Sequence, residues 1–490
     1  MRCLALAQGW RDRGQPVALL SAPGLDSLAD RWQQEGCRVH SLASKPGSLD
    51  DARETESIAR ELSTTHLAVD GYHFDTDFQH TLVKAGFRVL WIDDEALAAP
   101  FSAPWILNQN LHGTESLYPD RHAGTRLLLG PRHSLLRREF RHPEFREDVP
   151  KVAQRLLVTL GGSDPQRLSS RILFALKRLA DRGERLQVRL VVGRLNPQLD
   201  ELIDLARELG PAFEILVDVR SMASQMSWAD LAIAAAGSTS WELACLGVPM
   251  VLVVTAPNQK PVADELVRRD AAVAADGEEL LDEAGLADQV GALLHDARRR
   301  QELRQQARAL VDGEGVERVI AHVLDERLRL RPVQSLDRRQ LWTWANDPSV
   351  REVAFSQAPI PWEDHCRWFD DRLANPRGTH FIAFDLEDRP VGQVRFDPLG
   401  EEASMRKTEI SISLDQTARG SGLGTDLLRL ACDRLFRTSE TETIRALILP
   451  DNHASIRAFE KARFVPSGRT RRKGHPALQY TLERSRDLGR

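Results

Sequence analysis

The sequence predicts an α/β protein in which two Rossmann-like domains face a cleft and an α+β domain follows them. Short apolar runs rich in Val, Ile and Leu recur over roughly the first 320 residues without alternating, which is typical of parallel strands buried on both faces. Amphipathic helical stretches separate most of these runs. After about residue 328 the apolar residues alternate with polar ones, as in antiparallel strands with one solvated face.

Two series of strands are expected in the first region, and the charged, proline-containing segment Arg138–Val152 divides them. The first series is Val17–Ser21, Leu67–Asp70, Val89–Ile92, Trp105–Asn108 and Arg126–Leu129. The second series is Arg155–Leu160, Gln187–Val192, Phe213–Asp218, Leu231–Ala235 and Met250–Val254. We expect the three domains to span residues 1–148, 149–322 and 327–485.

The chain opens in a helical pattern, Arg2–Arg13, whereas a doubly wound domain normally opens in a strand that is followed by its ligand loop. We therefore expect the first strand to lie upstream of Met1, which would be an internal methionine of the natural chain. The alternative is a genuine truncation, which would remove a central strand and expose the edges of its neighbours.

Composition and charge exclude several classes of partner. Hydrophobic residues make up 42% and charged residues 28% of the chain, and the formal net charge of -5 gives no basic field for a nucleic acid. No apolar run is long enough for a membrane span, and the N-terminus lacks the apolar core of a signal peptide. The five scattered cysteines predict neither disulfides nor a zinc site, so we expect a cytoplasmic protein without a metal.

A glycine-rich loop, Arg419–Gly424 (RGSGLG), follows the predicted strand Glu409–Leu414 and leads into an apolar helix. Glycines let backbone amides crowd around a phosphate, and the helix N-terminus adds free donors and a favourable dipole. A plain glycine turn is the alternative. The segment 452–461 (NHASIRAFEK), with ARF after it, makes the phosphate loop the better interpretation.

Loop and segment together resemble the GNAT acetyltransferase family over about 155 residues. The resemblance implies acetyl-CoA as cosubstrate, with its pyrophosphate on the loop amides. It implies these acetyl-CoA-binding residues: Arg419, Gly420, Gly422, Gly424, Asn452 and Ser455. Glu409 is the candidate general base, and a surface strand glutamate is the alternative. Phe459 stands where many members carry an acidic tyrosine, and Arg463 stands where a glycine is usual, which predicts a local change of backbone.

Three further segments, LWTWANDPSVREVAF, HCRWFDDRL and GQVRFD, resemble the GNAT branch that acetylates amino groups of nucleotide-linked amino sugars. The substrate-side candidates that this implies are Trp344, Asn346, Arg351, His365, Trp368 and Arg395. Core packing is the alternative for Trp344 and Trp368.

Two loops of the preceding domain favour a second diphosphate site. Gly161–Asp164 (GGSD) follows a buried strand, and Gly237–Glu242 (GSTSWE) opens a helix after another. An acid one turn into that helix can accept hydrogen bonds from ribose hydroxyls. Capping is the alternative, with Ser238 or Thr239 as N-cap and Glu242 closing a capping box.

The segment GSTSWELACLGVPMVLV resembles the nucleotide-binding segment of GT-B glycosyltransferases that use UDP-N-acetylglucosamine. With VDGYHFD, WIDDE, ILNQNLHG, VTLGGSDPQ and VTAPNQ, it more closely resembles the UDP-2,4-diacetamido-2,4,6-trideoxy-β-L-altropyranose hydrolases of pseudaminic acid biosynthesis. That resemblance implies a GT-B arrangement in which water attacks the anomeric carbon and UDP leaves. The residues implied are Tyr72 and Asn258 beside the sugar, and Gly161, Gly162, Gly237, Ser238, Thr239 and Glu242 on UDP. Weaker cleft candidates are Asn108 and Asn110, and strand-end structure is the alternative for Asp93 and Asp94.

The family's expected base is a histidine in the loop after the first strand, and its place falls before Met1. The two activities would act in sequence on a UDP-linked amino sugar, by N-acetylation and then by hydrolysis. Two alternatives stay open for the first region, namely a GT-B glycosyltransferase and a sugar-nucleotide sensor without turnover.

Overall fold

The computed structural model describes residues 1–23, 26–141, 148–161, 164, 166–194, 196–275, 283–374, 378–399 and 406–485. Contacts between residues divide the chain into two compact units. The first unit comprises Met1–Gln8 and Ala18–Val319, and the second comprises Gly9–Val17 and Ile320–Arg490. The first unit contains both Rossmann-like halves, so the boundary near residue 148 between them stays a prediction.

The first half of the first unit begins with a helix, as its sequence predicts. Its elements are α1 (Arg2–Asp12), β1 (Ala18–Ser21), α2 (Asp26–Gln34), β2 (Arg38–Ser41), α3 (Leu49–Glu61), β3 (His66–Asp70), α4 (Thr76–Lys84), β4 (Arg88–Ile92), β5 (Trp105–Asn108) and β6 (Arg126–Leu129). The described strands form two parallel sheets, β1-β2 and β3-β4-β5-β6, where a doubly wound domain has one. The upstream strand stays a prediction.

The second half carries a fully parallel sheet of six strands. Its elements are β7 (Arg155–Thr159), α5 (Leu168–Asp181), β8 (Gln187–Val192), α6 (Leu199–Leu209), β9 (Phe213–Val217), α7 (Met222–Trp228), β10 (Leu231–Ala235), α8 (Ser238–Leu246), β11 (Met250–Val253), α9 (Lys260–Arg268), β12 (Val273–Ala275), α10 (Glu283–His295), α11 (Ala297–Leu310) and α12 (Gly315–Val323). The strand order is β12-β11-β10-β7-β8-β9. The order reverses between β7 and β10, so the topological switch point lies between these strands.

Burial in this sheet explains why its strands could be predicted. β10 and β11 are buried at every position, because helices cover both faces of the sheet. Within the first unit, the strands that the sequence pattern missed are β2 and β12. β2 reads RVHS and is partly exposed, and β12 has three residues, so neither carries an apolar run.

The second unit contains a mixed sheet. Its remaining elements are β13 (Arg329–Pro332), α13 (Arg338–Ala345), α14 (Pro348–Glu352), α15 (Trp362–Ala374), β14 (Thr379–Phe384), β15 (Pro390–Pro398), β16 (Lys407–Leu414), α16 (Leu423–Thr438), β17 (Thr443–Ile448), α17 (His453–Lys461), β18 (Val465–Arg472) and β19 (His475–Glu483). The order is β13-β14-β15-β16-β17-β19-β18, and the pair β16-β17 is parallel. The predicted α/β and α+β classes are confirmed. Among the described helices, none is both long and apolar enough to cross a bilayer.

One face of this mixed sheet is apolar. The opposite face packs against Trp344 and Phe369 at Ile382 of β14 and carries polar residues further along the sheet. Val394, Phe396, Ile410 and Ile444 are buried on the apolar face in one cluster with residues of α16 and α17. Because side chains alternate along a strand, the residues between them point to the opposite face. The polar residues of β14 to β17 therefore share a surface.

Candidate functional site

The two glycine loops of the second half follow the strands on either side of the switch point. Gly161 follows β7 with a φ of +90°, and Gly237 follows β10. Gln166 Nε2 donates a 3.3 Å hydrogen bond to the Thr255 carbonyl, which joins the loop after β7 to the loop after β11. Gly162 lies outside the described residues. In open α/β sheets this position, beyond the carboxyl ends of the strands, is where ligands bind.

Helix α8 begins at Ser238 without a side-chain cap. Gly237 is the N-cap residue, and the Ser240 amide donates to the Gly237 carbonyl at 2.9 Å. In the part of the chain that the structure describes, the amides of Ser238 and Thr239 have no acceptor. The capping alternative is therefore wrong, and the free amides together with the helix dipole are features that favour an anion at a helix entrance.

Glu242 pairs with an arginine instead of closing the capping box. Arg137 donates a 3.0 Å hydrogen bond to Glu242 and lies 2.6 Å from Glu139 on its other side. Burial raises the pKa of Glu242, and Arg137 acts in the opposite direction. Arg137 lies directly before the segment that divides the two strand series, and the sequence analysis assigned it no role. Its guanidinium orients the carboxylate one turn inside the entrance of α8.

In the first half, an arginine connects carboxylates at the ends of neighbouring strands. Arg2 donates to both carboxylate oxygens of Asp94 at 2.7 and 2.8 Å and to Asp70 at 2.6 Å. Asn110 and Tyr72 also donate to Asp94, at 2.8 and 2.9 Å. Asp70 ends β3 and Asp94 follows β4, so parallel strands bring both to one edge of the sheet. The sequence offered no signal for Arg2 or Asp70.

Tyr72 is the exposed member of this cluster. Its side chain is 59% exposed and lines a pocket of about 330 Å³ together with Arg2 and Asp94. Reduced hydration of the hydroxyl and the neighbouring Asp94 raise the pKa of Tyr72 to about 12. A hydrogen bond with the Asn258 side chain acts in the opposite direction. The structure thus brings together Tyr72 and Asn258, which lie far apart in the sequence.

A second set of polar side chains, Tyr118, Asp93 and Asn108, forms buried hydrogen bonds that hold neighbouring loops in place. The buried Tyr118 hydroxyl donates to Asp93 at 2.7 Å and accepts from Asn108 at 2.9 Å. Asp93 also accepts from the Ala96 amide at 2.7 Å, and burial raises the pKa of Asp93. Asp93 and Asn108 therefore fix the loops after β4 and β5, and Asp93 also lines the pocket together with Asp94.

In the second unit, the Arg419–Gly424 loop leaves open space at the entrance of α16. Gly420 and Gly422 have φ values of +77° and +86°, and a Cβ on Gly420 would meet nothing within 4 Å. Both Nε and Nη2 of Arg419 donate to the Leu414 carbonyl, at 3.1 and 2.9 Å. Arg419 therefore holds the loop at the end of β16, and the open amides next to a helix N-terminus fit a pyrophosphate.

The strands β16 and β17 separate beside this loop. They pair from Lys407 to Glu409, and the described residues show no further pairing between them. The edge of β16 from Ile410 to Leu414 is therefore available to an extended amide chain. Gly424, in the first turn of α16, lies against this strand, because a Cβ there would be 3.3 Å from Leu414.

Asn452, Ser455 and Phe459 have structural contacts of their own. Asn452 is the N-cap residue of α17 and accepts a 3.1 Å hydrogen bond from the Ser455 amide. Phe459 is buried with its ring centroid 4.9 Å from that of Phe464. Arg463 has a φ of +70°, which explains why a glycine suits this position. The predicted contact of Asn452 with coenzyme A stays a prediction.

Glu409 occupies the last paired position before the strands separate. Arg445 donates to its carboxylate at 2.7 Å, and Arg472 from the β18-β19 hairpin pairs with its other oxygen. The assignment of Glu409 as general base stays a prediction.

Two of the proposed sugar-binding residues lie in a packed cluster. Trp344 is 3% exposed and donates from Nε1 to Asp415 at 2.8 Å. His365 is 2% exposed, lies 2.8 Å from the Arg338 carbonyl through Nε2, and burial lowers its pKa. Both are corrected to core positions, because neither reaches an open surface.

The remaining candidates differ in what they contact. Asn346 accepts from the Ile360 amide at 2.7 Å and donates back to the Ile360 carbonyl at 3.1 Å, so it fixes a loop. Arg351 donates to the Ser356 carbonyl at 3.0 Å. Arg395 lies over the Trp368 ring, 5.5 Å from its centroid, on the polar face of the sheet. The described residues include no group of His, Cys, Asp or Glu that could hold a metal ion.

Residues 156–321 match the family described as glycosyltransferase family 28 C-terminal domain, and residues 327–465 match the acetyltransferase (GNAT) domain family. The first match begins at β7 and contains the switch-point loops. The second contains the Arg419–Gly424 loop and α17.

Three relatives span different parts of the chain. Spore coat polysaccharide biosynthesis protein SpsG of Bacillus subtilis (strain 168) is 31% identical over 41% of this chain, and the match spans 59% of that protein, less than two thirds. Uncharacterized protein MJ1062 of Methanocaldococcus jannaschii is 22% identical over 81% of this chain and 80% of its own length. A UDP-N-acetylglucosamine--N-acetylmuramyl-(pentapeptide) pyrophosphoryl-undecaprenol N-acetylglucosamine transferase of Methylococcus capsulatus is 32% identical over 36% of this chain and 50% of its own. The chain therefore carries, one after the other, a region that matches the glycosyltransferase family 28 C-terminal domain and a region that matches the GNAT acetyltransferase domain.

Proposed function

We propose that the chain is a bifunctional nucleotide-sugar enzyme. The second unit transfers an acetyl group from acetyl-CoA to a UDP-linked 4-amino sugar. The first unit then hydrolyses the acetylated product, UDP-2,4-diacetamido-2,4,6-trideoxy-β-L-altropyranose, to free sugar and UDP. This order and the sugar's identity rest on the resemblance to the hydrolases of pseudaminic acid biosynthesis.

The observation that carries the proposal is the position of Gly161 and Gly237 on either side of the switch point. Amides without acceptors at the start of α8 would bind the diphosphate, and Glu242 would accept hydrogen bonds from the ribose hydroxyls. The similarity to a transferase whose name specifies UDP-N-acetylglucosamine supports UDP as the nucleotide.

At the sugar end, Tyr72 and Asn258 would contact the sugar in the pocket beside Asp94. Water attacks the anomeric carbon, the bond from that carbon to the phosphate oxygen breaks, and UDP leaves with the electron pair. Asp94 accepts hydrogen bonds from Arg2, Tyr72 and Asn110, so its charge orients the donors around the pocket. In the family that the sequence resembles, a histidine removes the water proton, and no residue of this chain is assigned that role.

In the second unit, the acceptor amine attacks the thioester carbonyl, and the bond between carbon and sulfur breaks. Glu409 takes the proton of the attacking amine, directly or through water. Solvent protonates the leaving thiolate, because Phe459 has no proton to donate. The open edge of β16 would pair with the pantetheine amides, and the Arg419–Gly424 loop would hold the pyrophosphate.

A single assay tests both steps. Acetyl-CoA and the UDP-linked 4-amino sugar are incubated with the full chain, and free CoA, UDP and sugar are followed together. We expect CoA release that requires the amino sugar, followed by UDP release that requires prior acetylation. CoA release that is indifferent to the amino sugar would contradict the acetyl-acceptor assignment.

A glycosyltransferase is the second candidate, because the matched family 28 domain and the relative from Methylococcus capsulatus are named for sugar transfer. It predicts that UDP appears only when a second sugar or lipid acceptor is supplied. Stoichiometric free sugar without an acceptor favours the hydrolase instead.

A further inference from the structure

Four arginines and two carboxylates form a network on the polar face of the second unit's sheet. Asp397 pairs with Arg372 and with Arg395, the latter at 2.9 Å. Glu409 pairs in the same way with Arg445, at 2.7 Å, and with Arg472. Asp397 and Glu409 are directly opposite each other in the β15-β16 register, so the two groups are continuous. We name these arginines, Arg372, Arg395, Arg445 and Arg472, the four-arginine cluster.

The network has an unbalanced charge. Each carboxylate is shared by two guanidiniums, so the paired groups that the structure describes carry a surplus of two positive charges. The side chains of the four arginines are between 20% and 41% exposed, which leaves them within reach of a ligand. An arginine fork matches the geometry of phosphate oxygens, and each of the four has donors that its carboxylate does not use.

Loss of hydration destabilises the positive charge of Arg395 in this cluster. Burial, together with the charges of Arg372 and Arg472, lowers the pKa of Arg395 to about 10, and Glu409 acts in the opposite direction. Arg395 is held over the Trp368 ring, and Arg472 is held 6.0 Å from the Phe355 ring centroid. An added anion stabilises cations that repel one another on a partly dehydrated surface.

We propose that the four-arginine cluster binds the diphosphate of the acetyl acceptor, so that the second unit selects amines carried on phosphate-bearing molecules and disfavours polycationic amines. This inference rests on the acetyltransferase activity proposed above and specifies the acceptor's class. Because Glu409 belongs to the same network, the phosphate would be bound beside the carboxylate that takes the amine proton.

The test compares acceptors that differ in charge, using the full chain. The acceptors are the UDP-linked 4-amino sugar, the methyl glycoside of the same amino sugar, and spermidine. We expect kcat/KM to be highest for the UDP-linked acceptor, by about tenfold or more over the methyl glycoside. Inorganic pyrophosphate should inhibit competitively with the acceptor. This inhibition should be separable from any competition between pyrophosphate and acetyl-CoA at the glycine loop.

The double variant Arg372→Gln/Arg472→Gln removes the surplus while each carboxylate keeps one arginine. We expect it to reduce the preference for the UDP-linked over the unphosphorylated acceptor by about tenfold or more. Arg406→Gln is the matched control, because Arg406 is an exposed arginine of the same unit that pairs with Glu442 outside the network.

Equal use of the UDP-linked and methyl acceptors by the unaltered protein would overturn the inference and leave the acetyltransferase standing. The same conclusion follows if the double variant keeps the full preference. If the double variant does not fold, the acceptor comparison and pyrophosphate inhibition of the unaltered protein still decide the question. Absence of CoA release with every amine would overturn both this inference and the proposed acetylation.

Discussion

Arg445 donates a 2.7 Å hydrogen bond to Glu409 at the last position where β16 and β17 pair. Beyond this contact the strands separate, so the carboxylate marks the point where the sheet opens. An unpaired carboxylate at a partly buried sheet edge would cost free energy. Two arginines pair with Glu409 here. The ion pairs thereby hold the Glu409 carboxylate beside the gap where an acyl chain would lie.

Replacing Glu409 by Gln tests its role as base. We expect kcat for acetyl transfer to fall by about 100-fold or more, because general base catalysis typically contributes that much, while KM for acetyl-CoA stays unchanged. Steady-state kinetics with thiol detection would measure it. Glu442→Gln is the control, since Glu442 is an exposed acid of the same unit. A Glu409→Gln variant that retains full kcat would remove Glu409 from the mechanism.

The two tyrosines of the first unit should respond differently to loss of their hydroxyls. Tyr72→Phe should lower UDP release by about tenfold or more with little effect on stability, because its hydroxyl faces the pocket and its ring is exposed. Tyr118→Phe should cost about 1–3 kcal/mol of stability, because it leaves buried partners unsatisfied. Urea denaturation and UDP release would be measured on both variants. Equal effects of the two changes on UDP release would argue against a particular role for Tyr72.

An alanine at Gly420 should weaken acetyl-CoA binding more than it disturbs folding. The φ of +77° costs a non-glycine residue about 1 kcal/mol, and no atom lies close enough to clash with the added methyl group. The methyl group would instead occupy the space above the loop amides, so KM for acetyl-CoA should rise by about tenfold. Gly474→Ala shares the positive φ and the open surroundings, and it should leave that KM unchanged.

The second unit should lose stability in mild acid through His380. Burial lowers the pKa of His380 to about 4, with Arg395 and Arg372 acting in the same direction and Gln393 and Asp337 opposing. The unfolded chain therefore binds the proton first. The stabilising contribution is present above about pH 6.5 and is lost as the pH falls towards about 4, by at most about 3 kcal/mol.

Hydrogen exchange of the Thr379–Phe384 strand, measured between pH 7.5 and pH 4.5 and corrected for the intrinsic rate, would report this loss. His380→Gln should flatten the dependence on pH. A slope that is the same in both proteins would assign the acid sensitivity to other groups.

Arg463→Gly should stabilise the second unit. Arg463 has a φ of +70° and an exposed side chain, so glycine relieves strain of about 1 kcal/mol, part of which is offset by the greater freedom of the unfolded chain. Arg463→Ala keeps the strain and serves as the comparison. Thermal unfolding should rank the glycine variant above the alanine variant, and the opposite order would contradict this explanation.

Much of the fold could be read from the chain because burial imposes local patterns. The runs of β10 and β11 are apolar at every position since both faces are covered, and they predict strands without tertiary information. The glycines before α8 and α16 are also a local signal. A helix N-terminus with free amides needs a residue without a bulky side chain immediately before it.

The contacts between distant segments could not be read in this way. Nothing near Arg2 in the sequence indicates Asp70 or Asp94, and nothing near Glu409 indicates Arg472. Trp344 and His365 were misassigned for the same reason, since aromatic and imidazole side chains suit a sugar site and a core equally well.

The sequence by itself therefore determined the class of each domain, the helix entrances that suit diphosphates and the absence of a basic field over the whole chain. The tertiary structure alone decided which polar and charged groups meet: Tyr72 with Asp94, Glu242 with Arg137, and two carboxylates with four arginines. The reason is physical. Secondary structure follows from burial and backbone geometry within a few residues, whereas the charge of a site depends on side chains that parallel and antiparallel pairing brings together across the sheet.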